Sequence, residues 1–514
     1  MIEVGYVLSL SVITPLIISV LSLFSGKKIG VLKLSVINAL ALSLPFFIVV
    51  VTYADGVLEE GIKDPIFYQH PSIGSFTFVL DPLNAPIVAG ISVVTAIVAL
   101  YSARYMTHRI NEMVKGGERV PGMNVYFFLY TLFSLAMIGL AYSTNLVLFY
   151  LFLELTLVPS FLLIAYYGYG DRRRISLLYF VWTHVGAVLF LFAALAYGLV
   201  TGTFDFMNPV TGKPLIGYAE EALVPLGLVK IVFFAMILGL FIKMAVFGVH
   251  MWLPYAHAEA PTPISALLSP NLIGLAGYAL ARITYTLFPS MMSAYSEYLV
   301  ILGFITIIYG GLVALRQDDF KRFLAYSSIS QMGYILLGVA TLTSAGIAGA
   351  MLHYFSHAIG KAILFLVAGV FITELHGLRS ISKMGGLARV YPLTASAALI
   401  GFMHLAGMPP TFGLWSELFI VQGLTQTYMS LGQGVFILVA SLMIVSFTLT
   451  AAYGFTAMKK IFYGELHEHV PKSNEKNILV ISLLLLSLIG LLLFVYPRPL
   501  LSTLITYIAD MYGV

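Results

Sequence analysis

The sequence predicts an all-α polytopic membrane protein: about fourteen transmembrane helices forming a single transmembrane domain over residues 1–514. Three observations carry that expectation. Of the 514 residues, 60% are hydrophobic and only 10% are charged, which is more apolar surface than a water-soluble domain can bury. Apolar stretches of about 20 residues, the length that crosses a hydrocarbon core, recur along the whole chain. The basic residues between them segregate to alternate loops, as they do in membrane proteins of fixed orientation.

The apolar stretches begin near residues 4, 29, 82, 124, 146, 175, 224, 263, 296, 324, 346, 390, 431 and 476. The first has no small-residue cleavage site and many spans follow it, so it reads as a span and not as a removable signal. With the N-terminus outside, one set of loops holds Lys27, Lys28 and Lys33; Arg104, Arg109, Lys115 and Arg119; Arg172, Arg173 and Arg174. The same side takes Arg316, Lys321 and Arg322; Arg379, Lys383 and Arg389; Lys459, Lys460, Lys472 and Lys476, making 20 of the 27 basic residues. The opposite side receives Lys63, Lys213 and Arg498. Miscounting one span would scramble this segregation. It places both termini outside a plasma membrane crossed many times. The outer loops 54–75 and 201–223 are longer and mildly acidic, and 497–514 is weakly amphipathic, suited to the outer surface.

The chain has no cysteine. That excludes disulfides, thiolate metal sites and iron–sulfur ligation. It carries no dinucleotide or P-loop signature either. No redox or phosphoryl chemistry, no cofactor, no metal site and no nucleic-acid partner are expected of this chain itself.

Ionisable groups at bilayer depth are costly and by default face an interior cavity. Glu154 lies in the fifth span, Lys243 in the seventh, His353, His357 and Lys361 in the eleventh, and Glu417 in the twelfth. The spacing 353, 357, 361 puts three groups on one helix face, about 6 Å apart per step. A lone buried histidine usually just bonds a neighbouring helix, but two histidines and a lysine on one stripe suit a row of proton-exchanging groups. Glu154 and Lys243 each need a partner in the membrane, and pairing with each other would supply it. That pair reads either as a static packing bridge or as a switch in which moving Glu154 away expels the lysine's proton. Lys230, His250 and His404 are secondary candidates, as is His184. Lys230 sits where it can snorkel, and Arg282, at the outer end of the eighth span, reads as an interfacial anchor.

Two spans are interrupted. The seventh has Gly248, Pro254 and then "HAEAPTPIS"; the twelfth has "HLAGMPP" with Pro409 and Pro410. Proline removes a backbone donor, and exposed backbone at membrane depth is tolerated where it lines a cavity or is covered by protein. Breaks in matching positions of two halves mark inverted repeats. Residues 124–288 and 296–463 make two five-helix units with the break in the fourth helix of each, flanked by helices in 1–107 and 476–514.

These residues carry a resemblance. "IKMAVFGVHMWLPYAHAEAPTPISALLS" (242–269) resembles the seventh-span signature of the antiporter-like subunits of respiratory complex I. The same family includes the large subunits of Mrp-type cation/proton antiporters and counterparts in membrane-bound hydrogenases and related ferredoxin-linked complexes. "FSHAIGKAILFL" (355–366), "LAGMPPTFGLWSELF" (405–419) and "DDFKRFLAYSSISQMGYILLG" (318–338) are similar to its eleventh span, broken twelfth span and ninth-to-tenth junction. The resemblance covers about residues 75–465. It implies fourteen helices with two inverted five-helix repeats, and proton translocation along a mid-membrane polar axis driven by a redox module elsewhere. It assigns Glu154 and Lys243 to the fifth- and seventh-span pair, His353, His357 and Lys361 to the eleventh-span stripe, and Glu417 to a position held by lysine or glutamate.

The sequence also departs from the family. Ala245 and Gly248 stand where many members have prolines, and Tyr255 where an aspartate is common. Gly274 stands about where many members carry a central lysine. Either water or His353 bridges that gap, or this copy conducts poorly and chiefly transmits motion or completes the membrane arm.

The first reading is therefore a proton-translocating, antiporter-like subunit of a complex I-like or Mrp-like assembly. Protons from the cytoplasm would load Lys243 under control of Glu154, cross to the His353–His357–Lys361 stripe and leave by Glu417. A second reading is sodium/proton exchange, although two dispersed carboxylates make a poor sodium cage. A third is a structural subunit that moves nothing. The partners implied are other membrane subunits, antiporter-like relatives among them, a peripheral redox module reached indirectly, and lipid.

Overall fold

The computed structural model describes residues 1–25, 29–466, 475, 477–495 and 497–513. Lys27, Lys28, Lys472 and Lys476, counted above among the loop cations, lie outside the described residues. Among the described residues, twelve helices are long and apolar enough to cross a membrane. The other two expected spans, the seventh and the twelfth, are each divided into shorter helices.

Helices α1 (Val7–Phe24), α2 (Val31–Ala54), α3 (Ala85–Lys115), α4 (Met123–Tyr142), α5 (Leu146–Tyr167) and α6 (Arg172–Thr201) come first. The divided seventh span is α7 (Val229–Met244) and α8 (Trp252–Glu259). Then follow α9 (Thr262–Leu287), α10 (Pro289–Leu315), α11 (Phe320–Ala340) and α12 (Ser344–Glu374). The divided twelfth span is α13 (Pro392–Leu405) and α14 (Gly413–Tyr428), and α15 (Gln433–Phe462), α16 (Ile478–Val495) and α17 (Arg498–Tyr512) complete the chain. The ninth span starts at Pro289 and not near 296. Proline suits a first helical position, and Glu220 accepts the free backbone N–H groups of Ser290 and Met291 at 3.2 and 2.7 Å.

Pro254 was expected to help break the seventh span. It sits instead in the first turn of α8, where a missing N–H is harmless. The break is made by Ala245 and Gly248, whose φ angles are 56° and 94°. In the second break, Gly407 has φ 59° and lies against the Glu417 carboxylate, so a side chain there would strike it. Helix α9 holds two π-helical turns that the apolar pattern did not reveal, Leu268–Leu272 and Leu280–Thr284. The first contains Pro270, which cannot donate to the ladder; an extra residue in the turn accommodates it.

Helices α9 and α12 are enclosed across their apolar length, whereas α6 and α15 expose most of theirs. Small residues let neighbours close on α12: a Cβ on Gly349 would lie 2.6 Å from Ile420 N, and one on Gly360 would lie 2.7 Å from His404 Cβ. The ends of α3, α5, α8 and α12 and the start of α11 meet at one face. There Arg109 donates to the Tyr167 and Gly168 carbonyls, Arg172 pairs with Glu118, Arg104 with Glu374 and Arg379 with Asp319. We call this the basic face.

On the opposite face, the first residues of the chain and the loop between α2 and α3 form short strands. β1 (Ile2–Glu3) pairs in parallel with β2 (Ile62–Lys63), which pairs antiparallel with β5 (Val79–Leu80); β3 (Tyr68–His70) and β4 (Gly74–Phe76) make a hairpin. Arg282 is no interfacial anchor. It is buried, with Nη2 2.5 Å from Asp81 Oδ1, because the turn before α3 supplies a counter-charge and α17 lies over the pair. From α17, Tyr507 donates to Asp81 Oδ2 at 2.9 Å, while Leu504 and Ile508 face inward and Thr506 and Asp510 outward.

Candidate functional site

One uninterrupted helix, α12, carries His353, His357 and Lys361 a turn apart, and none is more than 1% exposed. Each meets a different neighbour. His353 Nδ1 is 3.1 Å from Ser416 Oγ on α14, and its ring lies beside Tyr334 of α11 with centroids 5.2 Å apart. Ser416 is followed by Glu417, which is buried and whose Oε1 has no hydrogen-bond partner among the described residues. His357 faces the backbone of Pro270 in the first π turn of α9, and neither of its ring nitrogens makes a hydrogen bond to a described residue. Lys361 Nζ donates to the Leu324 carbonyl at 2.9 Å and to Ser327 Oγ, both on α11. His404 stands beside this row: its Nδ1 is 2.9 Å from Ser356 Oγ, and its Nε2 points at Gly490 of α16 without a partner among the described residues.

The expected Glu154–Lys243 ion pair does not form. Glu154 lies 3.2 Å from His184 Nδ1 on α6, with the two side chains 24% and 43% exposed. Helical geometry explains the correction. Phe149 and Leu153 of α5 face Lys243, and the residue after Leu153 is turned about 100° away, toward α6. The His184 ring in turn stacks on Phe180, centroids 5.6 Å apart. Lys243 is buried at the last turn of α7, and its Nζ has no hydrogen-bond partner among the described residues. The small cavity beside it is lined by Leu140, Phe149, Leu153, Leu240, Leu272 and Leu275, with Ala276.

Between Lys243 and α12 lies Gly274. A Cβ there would fall on the Tyr354 ring, 2.7 Å from Cε2. Tyr354 itself donates to the Asn271 carbonyl at 3.1 Å. The tyrosine ring thus fills the space into which a longer side chain at 274 would extend; Asn271, one turn before, is buried with neither polar atom of its side chain bonded to a described residue.

The remaining secondary candidates stay apart. Lys230 is exposed at the start of α7. His250 is buried in the first break, with Nε2 3.1 Å from Tyr309 OH of α10 and its ring beside Phe247.

Three groups that sequence reasoning gave no role cluster at the basic-face end. His257 of α8 is fully buried beside Phe365 of α12, ring centroids 5.0 Å apart, and neither ring nitrogen is bonded to a described residue. Glu259, the last residue of α8, has Oε2 buried without a partner among the described residues. Lys321, placed above among the loop cations, is buried; it donates to the Ala260 carbonyl and lies over the Tyr169 ring, 5.8 Å from its centroid. The available signal was "HAEAP", ionisable residues directly after a helix break.

A family model described as NADH:quinone oxidoreductase/Mrp antiporter, TM, matches residues 143–448. The F(420)H(2) dehydrogenase subunit M of Methanosarcina mazei is 31% identical over 516 aligned positions, covering 97% of this chain and 96% of that one. A chain of the Mrp complex from Dietzia sp. shares the fold with a TM-score of 0.81 at 23% identity, over 98% of this chain and 97% of that one. A chain of respiratory complex I from Thermus thermophilus does so with a TM-score of 0.78 at 24% identity, over 99% and 100% of the two chains.

Proposed function

This chain belongs to the NADH:quinone oxidoreductase/Mrp antiporter transmembrane family, and from that premise we propose that it moves protons along the α12 row as one membrane subunit of a larger complex. The observation that carries the reading is a group of buried polar atoms around α12 without partners among the described residues: His353 Nε2, both nitrogens of His357, His404 Nε2, Gln331 Oε1, Glu417 Oε1 and both side-chain polar atoms of Asn271. Each such atom costs about 1–3 kcal/mol when nothing satisfies it. All lie on α12 or on the helices packed against it. Water threaded between them would satisfy them and join Lys361 to His357, His353 and Glu417. The basic face is then cytoplasmic and both termini lie outside the plasma membrane, a proposal supported by the loop charges. The divided spans α7–α8 and α13–α14 support two inverted five-helix repeats. The relatives' names place them in an F(420)H(2) dehydrogenase, an Mrp complex and a respiratory complex I, and neighbouring membrane subunits are this chain's partners by that likeness.

The Tyr354 ring, standing in the space beside Gly274, favours a narrower role for the first half. Glu154, His184 and Lys243 act on the complex by charge, and their protons do not pass to α12.

Lys361→Ala and Glu417→Gln, each in the assembled complex in sealed vesicles, test the proposal. Proton translocation is expected to fall by about tenfold or more while the driving reaction continues. Normal translocation in both variants would remove the row from the mechanism. Sodium dependence of the transport would favour cation exchange instead.

A further inference from the structure

We propose that Asn271 is a positioning residue that couples the charge on Lys243 to His357 of the α12 row without passing a proton between them. The proposal rests on the reading of that row given above and deepens it by naming the group through which the first half acts on it.

Asn271 is fully buried in the first π turn of α9, and neither its Oδ1 nor its Nδ2 is bonded to a described residue. Its neighbours on the helix fix what lies around it. Pro270, just before it, faces His357. Its own backbone carbonyl accepts from Tyr354 of α12 at 3.1 Å. Leu272, just after it, and Leu275, one turn on, line the cavity beside Lys243. Asn271 therefore stands where α9 separates Lys243 from α12. The cavity has a volume of about 10 Å³, room for about one water molecule and too little for a chain of them. An asparagine kept only for the fold would bond the backbone of the irregular turn, yet Nδ2 donates to no described carbonyl. A leucine would fill the same site without burying two unbonded polar atoms.

An amide suits charge coupling. Its oxygen only accepts, its nitrogen only donates, and it does not titrate. With Lys243 protonated, the oxygen turns to the ammonium and the nitrogen donates toward His357, which holds the imidazole neutral. With Lys243 neutral, the amide reverses and its oxygen accepts from His357, which favours the imidazolium. A proton arriving on Lys243 thus drives one from His357 to its neighbours in the row, while Asn271 gains and loses none. The other ionisable groups that face His357 are Lys361, His353 and His257, and the carboxylate that acts on Lys243 is Glu154.

The test compares Asn271→Leu, Lys243→Met, the double variant and Lys361→Ala, each in the assembled complex in sealed vesicles. Leucine keeps the approximate volume and removes both ends of the amide. Asn271→Leu and Lys243→Met are each expected to lower proton translocation by about tenfold, and the double variant no further, because the second change removes a link already cut. Losses that multiply in the double variant, or normal translocation in either single one, would overturn this proposal and leave the row standing so long as Lys361→Ala is impaired; normal translocation in Lys361→Ala would overturn the row and this proposal with it. Asn271→Ser separates coupling from proton passage, and it decides if Asn271→Leu does not assemble. A serine hydroxyl relays protons with water but is too short to hold both sides, so the same loss is expected. Normal translocation in Asn271→Ser would overturn the proposal.

Discussion

A Cβ on Gly274 would lie 2.7 Å from Tyr354 Cε2, so even alanine must push the ring aside. Overpacking of this kind costs about 1–3 kcal/mol. Gly274→Ala is expected to lower the melting temperature of the purified complex, and Tyr354→Leu in the same chain to relieve the loss; an equal loss with and without the tyrosine would show that the ring is not what fills the space. Arg282 and Asp81 make a second residue-scale case. Their 2.5 Å pair is fully buried, and removing one partner of such a pair strands the other charge, at about 3–5 kcal/mol. Asp81→Asn should therefore destabilise the subunit more than Tyr507→Phe, which removes a single hydrogen bond to the same carboxylate. Thermal denaturation that ranked Tyr507→Phe as the worse would contradict this.

Each of the divided helices brings a different polar group to the middle of the fold. The break after α7 leaves Lys243 at a helix end beside an apolar cavity and sends α8 on to deliver His257. The break after α13 lets Glu417 pack on Gly407 and places Ser416 against His353. That the spans were interrupted was legible from proline and glycine. Where the first break falls was not, because it depends on the left-handed backbone of Ala245 and Gly248, and alanine carries no signal for that conformation. Of the π turns of α9, the first is marked in the sequence by Pro270, whereas the second left no trace, because it changes the helix by one residue without changing its apolar composition. The partner of Glu154 was also hidden. Sequence spacing orders groups on one helix, but which neighbour a side chain meets across helices depends on rotation about the axis. Since His184 and not Lys243 is that partner, Glu154→Gln and His184→Ala should impair proton translocation to the same degree, and the double variant no further. Losses that add would show that the two act separately.

Across the whole molecule, enclosure does not exclude ionisable groups. Helix α12 is buried on every side yet holds two histidines and a lysine, while α6 and α15 present apolar faces outward. The partly exposed Glu154–His184 pair on the α5–α6 side is the exception, and an ionisable pair on an outward membrane surface suits contact with another subunit better than contact with lipid. The positions of the spans and the segregation of cations were readable because both follow from the bilayer's demands on composition. The enclosure of Lys321 and His257 was not, since the first counts as an ordinary loop cation and the second as one histidine in a motif until folding buries both. The central claim is that one hydrated line joins Lys361, His357, His353 and Glu417. An experimental map of the assembled complex, sharp enough to place water molecules, tests it most directly. Ordered water bridging those four side chains is the result expected, and continuous apolar packing between them, with each group closed off by its own neighbours, would contradict it.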